Sequence, residues 1–287
     1  MKPAAFEYLR PASIAEAVAQ LGEFGGDAKI LAGGQSLVPL LNFRIVRPSV
    51  LIDINRLAEL DFVEEDGGGL RIGALTRHYT LETSPLVRER FPVLSAAMAH
   101  VAHIAIRNRG TIGGSLSHAD PAAELPMLAL LLDAEIRMLS AGGWRCHKAE
   151  GFFRGPLTTA LGEDELVTEI FLPALPPRAG WGFEEFALRS GDFAFAAVVA
   201  ILTAANGKIG EARVAVMGVD ETPLRLRAVE QSLAGQRFTA KLVGAAARQA
   251  HANVQPFSDL RASADYRRHL VAVLTERALR AAWARAA

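Results

Sequence analysis

The chain has 287 residues, 51% of them hydrophobic and 22% charged, which supplies enough apolar material for two cores and excludes a disordered polypeptide. Lys and Arg total 31, as do Asp and Glu, so no net field attracts a nucleic-acid backbone or an anionic membrane, and neither is an expected partner. The single cysteine, Cys146, excludes an intrachain disulfide and a four-thiolate iron–sulfur or zinc site, so any such cluster is expected in another chain.

In chain order, Ile14–Phe24 reads as a short amphipathic helix, with Ile14, Val18 and Leu21 at helical spacing and Ser13 with Glu16 as a capping-box pair. Gly25 and Gly26 stop it. Residues 29–32 then read as a buried strand, and after Gly33-Gly34 a helical pattern resumes over 36–43, with Pro39 near its start. Residues 50–54 form a second strand, and 70–75 a third, reached through the turn Asp66-Gly67-Gly68-Gly69. Residues 92–105 read as one helix, and the run 125–132 as a core helix too short to cross a bilayer. Strands are expected over 135–139 and 166–172, with Cys146 as an ordinary small residue in a hairpin near Gly142-Gly143. Three prolines within residues 173–177 suit a linker, and the domain boundary is placed there: residues 1–175, then 176–287. Beyond it, strands at 183–188, 194–203 and 212–219, the latter two joined at Asn206-Gly207, precede helices at 226–233, 240–251 and 266–283. Arg267, Arg268, Arg277, Arg280 and Arg285 on the last helix read as a solvated face. No secretory-type apolar run opens the chain, so the cytoplasm is the expected compartment.

Two glycine loops carry the chemistry. Ala32-Gly33-Gly34-Gln35-Ser36-Leu37 is a strand-to-helix turn in which glycine lets backbone N–H groups approach a phosphate closely. Ser36 suits either a phosphate contact or a helix cap. The pattern is neither Gly-x-Gly-x-x-Gly nor a P-loop, which disfavours a Rossmann dehydrogenase or an ATPase. The second loop, Thr111-Ile112-Gly113-Gly114-Ser115, would grip the same diphosphate from the other side. Asp120 and Glu124, just downstream, suit hydrogen bonds to sugar hydroxyls or the capping of a helix that starts near Ala122.

Together, Lys29 to Pro39, Leu51 to Asn55, Arg107 to Leu116 and His118 to Pro126 resemble the FAD-binding medium subunit of the carbon monoxide dehydrogenase and xanthine dehydrogenase family. Gly151-Phe152-Phe153, Asp164 to Ile170 and Arg189 to Ala194 extend the resemblance over nearly the whole chain. It implies an α+β fold: a vanillyl-alcohol-oxidase-like, PCMH-type FAD-binding portion in two subdomains, about residues 1–56 and 57–175, and a C-terminal antiparallel sheet with helices. It also implies that Ala32, Gly33, Gly34, Gln35, Ser36, Leu37 and Thr111, Ile112, Gly113, Gly114, Ser115 hold the FAD diphosphate. Asp120 and Glu124 would contact the sugar-alcohol, with Asp192 and Phe193 near the flavin. Phe193 stands where relatives often have tyrosine, Gln35 where many have histidine, and Ser115 where asparagine is frequent; Ala187-Leu188-Arg189 lacks a lysine that some carry.

No Ser or Cys nucleophile with a positioned base stands out, and His100 with His103 on the 92–105 helix reads as structural, so no metal ligand is assigned. The resemblance places the redox chemistry on FAD and leaves no catalytic side chain here. It further implies a large molybdopterin–molybdenum subunit that hydroxylates the substrate, and a small subunit with two [2Fe-2S] clusters that relays electrons. The assembly would be a dimer of heterotrimers, with NAD, quinone or oxygen as final acceptor. A self-contained flavin oxidase or reductase, or a scaffolding subunit without flavin, are the competing readings.

Overall fold

The computed structural model describes residues 1–286. Its first helix, Ile14–Phe24, buries Ala17, Val18 and Leu21 on one face. Ser13 Oγ accepts the Glu16 N–H at 3.1 Å, and the Glu16 carboxylate takes the Ala12 N–H at 2.7 Å, so the reciprocal cap reaches one residue further back than a capping box. This helix lies on a three-stranded parallel sheet in the order Glu7–Leu9, Val50–Asp53, Ala28–Leu31. Val50, Leu51 and Ile52 are all buried, as a central strand covered on both faces requires.

A second layer is a five-stranded antiparallel sheet, in the order Val63–Asp66, Gly69–Gly73, Leu166–Leu172, Glu135–Ser140, Gly143–Lys148. Gly67 and Gly68 both take positive φ (56° and 86°) in the turn expected between its first two strands. The helix Glu124–Leu131 is buried from Leu125 onward on all sides, because it lies between this sheet and the next.

The third sheet is antiparallel, in the order Gly180–Phe186, Ala196–Ala205, Lys208–Met217, Leu224–Arg225. Asn206 and Gly207, at φ 53° and 72°, make the left-handed two-residue turn between its long strands. Ala196 to Leu202 are all buried because the sheet has a core on each face. Ala197, Val199 and Ile201 pack with Leu125, Met127 and Leu128, whereas Ala196, Val198 and Ala200 pack with Leu270, Leu274 and Ala278 of the final helix Ala264–Ala286. Residues 173–179, which hold the proline cluster, carry no regular structure.

Two expectations are corrected. Residues 92–105 are not one helix: Pro92–Met98 ends, a turn follows, and Ile104–Arg107 is a separate short helix. Ala102 sits at φ 43°, a conformation no helix continues through, and Arg107 Nη1 donates to the carbonyls of Val101 and Ala102, which the break leaves without helical partners. His100 and His103 therefore do not share a helix. Nor is Arg267 part of a solvated face. Only 4% exposed, it donates through Nη1 to the Phe195 and Gly218 carbonyls at 2.7 and 2.9 Å, and through Nη2 to Asp259 at 2.7 Å. Charge spacing alone does not separate such a buried cross-link from the exposed Arg277, Arg280 and Arg285 on the same helix.

Candidate functional site

The first glycine loop leaves the strand Ala28–Leu31 and enters the helix Leu37–Asn42, with Gly34 at φ 73°. The backbone N–H groups of Gly33, Gly34, Gln35, Ser36 and Leu37 donate to no other protein atom among the described residues. Five successive backbone donors are thus left unengaged, with no acidic side chain in the loop, an arrangement that suits the oxygens of a phosphate. Ser36 makes no side-chain cap, so of its two readings the helix cap is not the one adopted. Gln35 turns its side-chain amide back onto the Gly33 carbonyl at 3.0 Å and so stiffens the loop.

The second loop is built differently. Thr111 Oγ accepts the Gly114 N–H at 3.1 Å and starts the helix Ile112–His118. The N–H groups of Ile112, Gly113 and Ser115 go to the carbonyls of Thr76, Ala74 and Thr111. With these amides committed, the loop offers a ligand the Ser115 hydroxyl, which has no hydrogen-bond partner among the described residues.

The two loops touch. A Cβ built on Gly33 would lie 2.3 Å from the Arg109 carbonyl oxygen, so only glycine allows this approach. Arg77 ties the contact together: Nη1 donates to the Arg109 carbonyl at 2.5 Å and Nη2 to Asn55 Oδ1 at 2.9 Å. Asn55 Nδ2 in turn donates to the Ala32 carbonyl at 2.7 Å. Beside it, the His78 N–H donates to the Gly110 carbonyl at 2.9 Å and its ring Nε2 lies 3.0 Å from the Thr111 carbonyl. Burial pushes the His78 imidazole down to about 4, so near neutral pH it is uncharged and Nε2 carries the donating hydrogen.

Asp120 follows the second helix through Ala119, which sits at φ 50°. Its Oδ1 accepts the Ala122 N–H at 2.9 Å, closing a local turn. It does not cap the following helix, which begins at Glu124 with no side-chain cap. The Glu124 carboxyl is enclosed by protein although part of the side chain reaches solvent, and burial, with the nearby charge of Asp120, pushes it up to about 7. Asp192 and the 63%-exposed Phe193 sit beside Gly191, whose built Cβ would fall 2.6 Å from the His103 ring; that close approach seats their loop on the turn that broke the expected helix.

Sequence reasoning missed Arg77, Asn55, His78 and Glu185. Of these only Asn55 lies in a segment that carries the family resemblance, and its signal is the Asp53-Ile54-Asn55 ending of a strand parallel to the one that feeds the first loop. Glu185 has a nearly buried side chain, 5% exposed, and burial followed by the charge of Glu124 pushes its carboxyl up to about 8.

These shifts set a pH dependence. Because Glu185 has a folded value above its usual 4.5, its contribution to stability is complete below about pH 4.5 and is lost as pH rises through about 8. His78, shifted down from 6.5, contributes stability above that value which is lost as pH falls through about 4. Thermal melts should therefore show the Tm of wild type falling between pH 5 and 8 more steeply than that of Glu185→Gln; equal slopes would place the raised carboxyl elsewhere.

Among the described residues no group of three or more His, Cys, Asp or Glu is arranged to hold a metal ion, and no helix is long and apolar enough to cross a membrane. Residues 4–175 match the family model described as the FAD binding domain in molybdopterin dehydrogenase, and residues 181–282 the CO dehydrogenase flavoprotein C-terminal domain. The carbon monoxide dehydrogenase medium chain of Hydrogenophaga pseudoflava is 40% identical, the alignment covering 100% of each chain. The nicotine 6-hydroxylase medium subunit of Paenarthrobacter nicotinovorans is 39% identical over 99% of this chain and 100% of that one. In three dimensions the chain superposes on a solved carbon monoxide dehydrogenase from Hydrogenophaga pseudoflava with TM-score 0.98, at 42% identity and with 100% of each chain covered. Quinoline 2-oxidoreductase from Pseudomonas putida 86 gives TM-score 0.96 at 38% identity, again over 100% of both chains. A whole-length match in sequence and structure, spanning both glycine loops, makes this chain a member of the FAD-binding medium subunits of the molybdenum hydroxylases, a family of oxidoreductase flavoproteins.

Proposed function

We propose that this chain is the electron-transfer subunit of a cytoplasmic, heteromeric molybdenum hydroxylase. It takes electrons from a small subunit carrying two [2Fe-2S] clusters and delivers them through FAD to NAD, quinone or oxygen. A large molybdopterin subunit hydroxylates the substrate, and the assembly is a dimer of heterotrimers. The observation that carries the reading is the run of unengaged donors from Gly33 to Leu37, set against the second loop by Gly33 and Arg77.

When bound, FAD supplies the redox chemistry, which explains why no side chain need act as nucleophile. The chain's residues bind and orient. The amides of Gly33 to Leu37 and the hydroxyls of Ser36 and Ser115 donate to the diphosphate. Asp120 keeps Oδ2 for a sugar-alcohol hydroxyl, since Oδ1 is engaged by Ala122. Phe193 offers an exposed ring to pack against the flavin without the phenolic hydrogen bond of a tyrosine. Residues 1–175 form the cofactor-binding portion in two subdomains, and 176–287 the C-terminal domain.

Relatives named for carbon monoxide, nicotine and quinoline match this chain over essentially its whole length, which supports substrate selection by another subunit. The test is stopped-flow mixing of the FAD-loaded chain with its reduced [2Fe-2S] partner. Flavin absorbance should bleach on mixing and not in the partner's absence. Turnover of a small organic substrate by the isolated flavoprotein would instead establish the self-contained oxidase.

A further inference from the structure

Glu185 lies on the strand Gly180–Phe186 and alternates with Gly182 and Glu184, so it shares a face with Trp181 and Phe183, which pack against the core of the FAD-binding portion. Its Oε2 is buried and has no hydrogen-bond partner among the described residues, and Oε1 lies 3.9 Å from His100 Nδ1, too far for a hydrogen bond. His100, 45% exposed along its side chain, lies against Phe183 with ring centroids 4.9 Å apart and the rings tilted by 51°, and so stands between the buried carboxyl and solvent. The charged group that bears on Glu185 is Glu124, at the start of the buried helix, with Asp120 in the turn before that helix bearing on Glu124 in its turn; His103 lies on the same turn as His100. The helix Pro92–Met98 carries none, the neighbouring strand places Ala197 opposite, and no arginine or lysine bears on Glu185. A carboxyl serving only structure at such a place would pair with a cation or a backbone donor. This one is held neutral beside a second carboxyl of similarly raised affinity for protons.

We propose that Glu185 and Glu124 form a proton store that supplies the proton accompanying reduction of the flavin and is refilled from solvent through His100. The inference rests on the proposed function, which seats the flavin beside Asp192 and Phe193, on the loop that Gly191 presses onto the His100–His103 turn. Two electrons arrive from the [2Fe-2S] partner. The O–H bond of the Glu185 carboxyl breaks, one N–H bond forms on the isoalloxazine, and Glu185 is left as a carboxylate. A solvent proton relayed by His100 then restores it. Glu185 is thus a proton-supplying residue, distinct from the groups that bind the cofactor.

The experiment uses the assembled complex and reads the FAD midpoint potential against pH by spectroelectrochemistry, together with the rate of flavin bleaching by the reduced partner. Wild type should show a bend in the potential–pH curve between about pH 7 and 8, where burial places the Glu124 and Glu185 carboxyls. Glu185→Gln should keep full FAD, lose the bend and bleach at least about 10-fold more slowly. His100→Ala should keep the bend but slow repeated turnover. A Glu185→Gln complex with full FAD and the wild-type curve and rate overturns the proposal. Should that variant fail to fold, wild type decides: with a pH indicator, proton uptake from bulk must lag flavin bleaching, and simultaneous uptake overturns the store. Absence of FAD from the wild-type chain would instead defeat the proposed function itself.

Discussion

Gly33→Val should remove FAD from the protein, lowering affinity at least about 100-fold, equivalent to ~3 kcal/mol. The new Cβ would lie 2.3 Å from the Arg109 oxygen and 2.9 Å from the Gly110 Cα. Both are backbone atoms, so no rotamer change relieves the clash, and the two loops must separate by about 1 Å to restore van der Waals distance. That shift spoils a donor array that needs near-correct geometry to act. Gly114→Ala provides the contrast. Its Cβ meets only the Thr111 Oγ, at 2.7 Å, and costs about 1 kcal/mol through the disturbed cap. Flavin-to-protein absorbance ratios of the purified variants check both, with circular dichroism to verify folding. Wild-type FAD content in Gly33→Val would mean that loop contact does not shape the site.

Arg267→Ala should destabilise the C-terminal domain by about 2–4 kcal/mol, chiefly the cost of leaving two buried carbonyls without their donor, since Asp259 is partly exposed and regains water. Two carbonyls and the Asp259 carboxylate lose their donor at once, and the guanidinium also lies 4.9 Å from the Phe257 ring centroid and 5.5 Å from that of Phe195. A fall in Tm of about 10 °C is expected. Arg280→Ala removes an exposed pair with Glu276 and should change stability by less than about 0.5 kcal/mol. Because Gly218, one of the carbonyls held by Arg267, donates its own N–H to the Pro121 carbonyl, part of the loss should appear as weaker FAD retention. Equal Tm values for the two variants would show that the buried arginine is not the cross-link its contacts describe.

Much of this was legible in the residues. Ser13 and Glu16 marked the first helix, Asn206-Gly207 the long hairpin, and Gly33-Gly34 the strand-to-helix turn, because each depends on local backbone chemistry. What could not be read was long-range. Arg77 joins Asn55 and Arg109 from 22 and 32 residues away, Arg267 reaches Phe195 across 72, and nothing near any of them in sequence reports that contact. The expected helix over 92–105 failed for a related reason: alanine-rich periodicity gave no sign that Ala102 would turn left-handed where Phe183 receives His100. The second glycine loop resembled the first in sequence, yet its amides are taken up by Thr76 and Ala74, carbonyls more than 30 positions away in the chain.

One FAD is expected on this chain, on the amides of Gly33 to Leu37 against the second loop. Titrating the wild-type and Gly33→Val complexes with FAD after removing the flavin, and following tryptophan and flavin fluorescence, tests it most directly. One FAD per wild-type chain and none per variant chain is the expected result; saturable, stoichiometric binding by the variant would show that the flavin sits elsewhere.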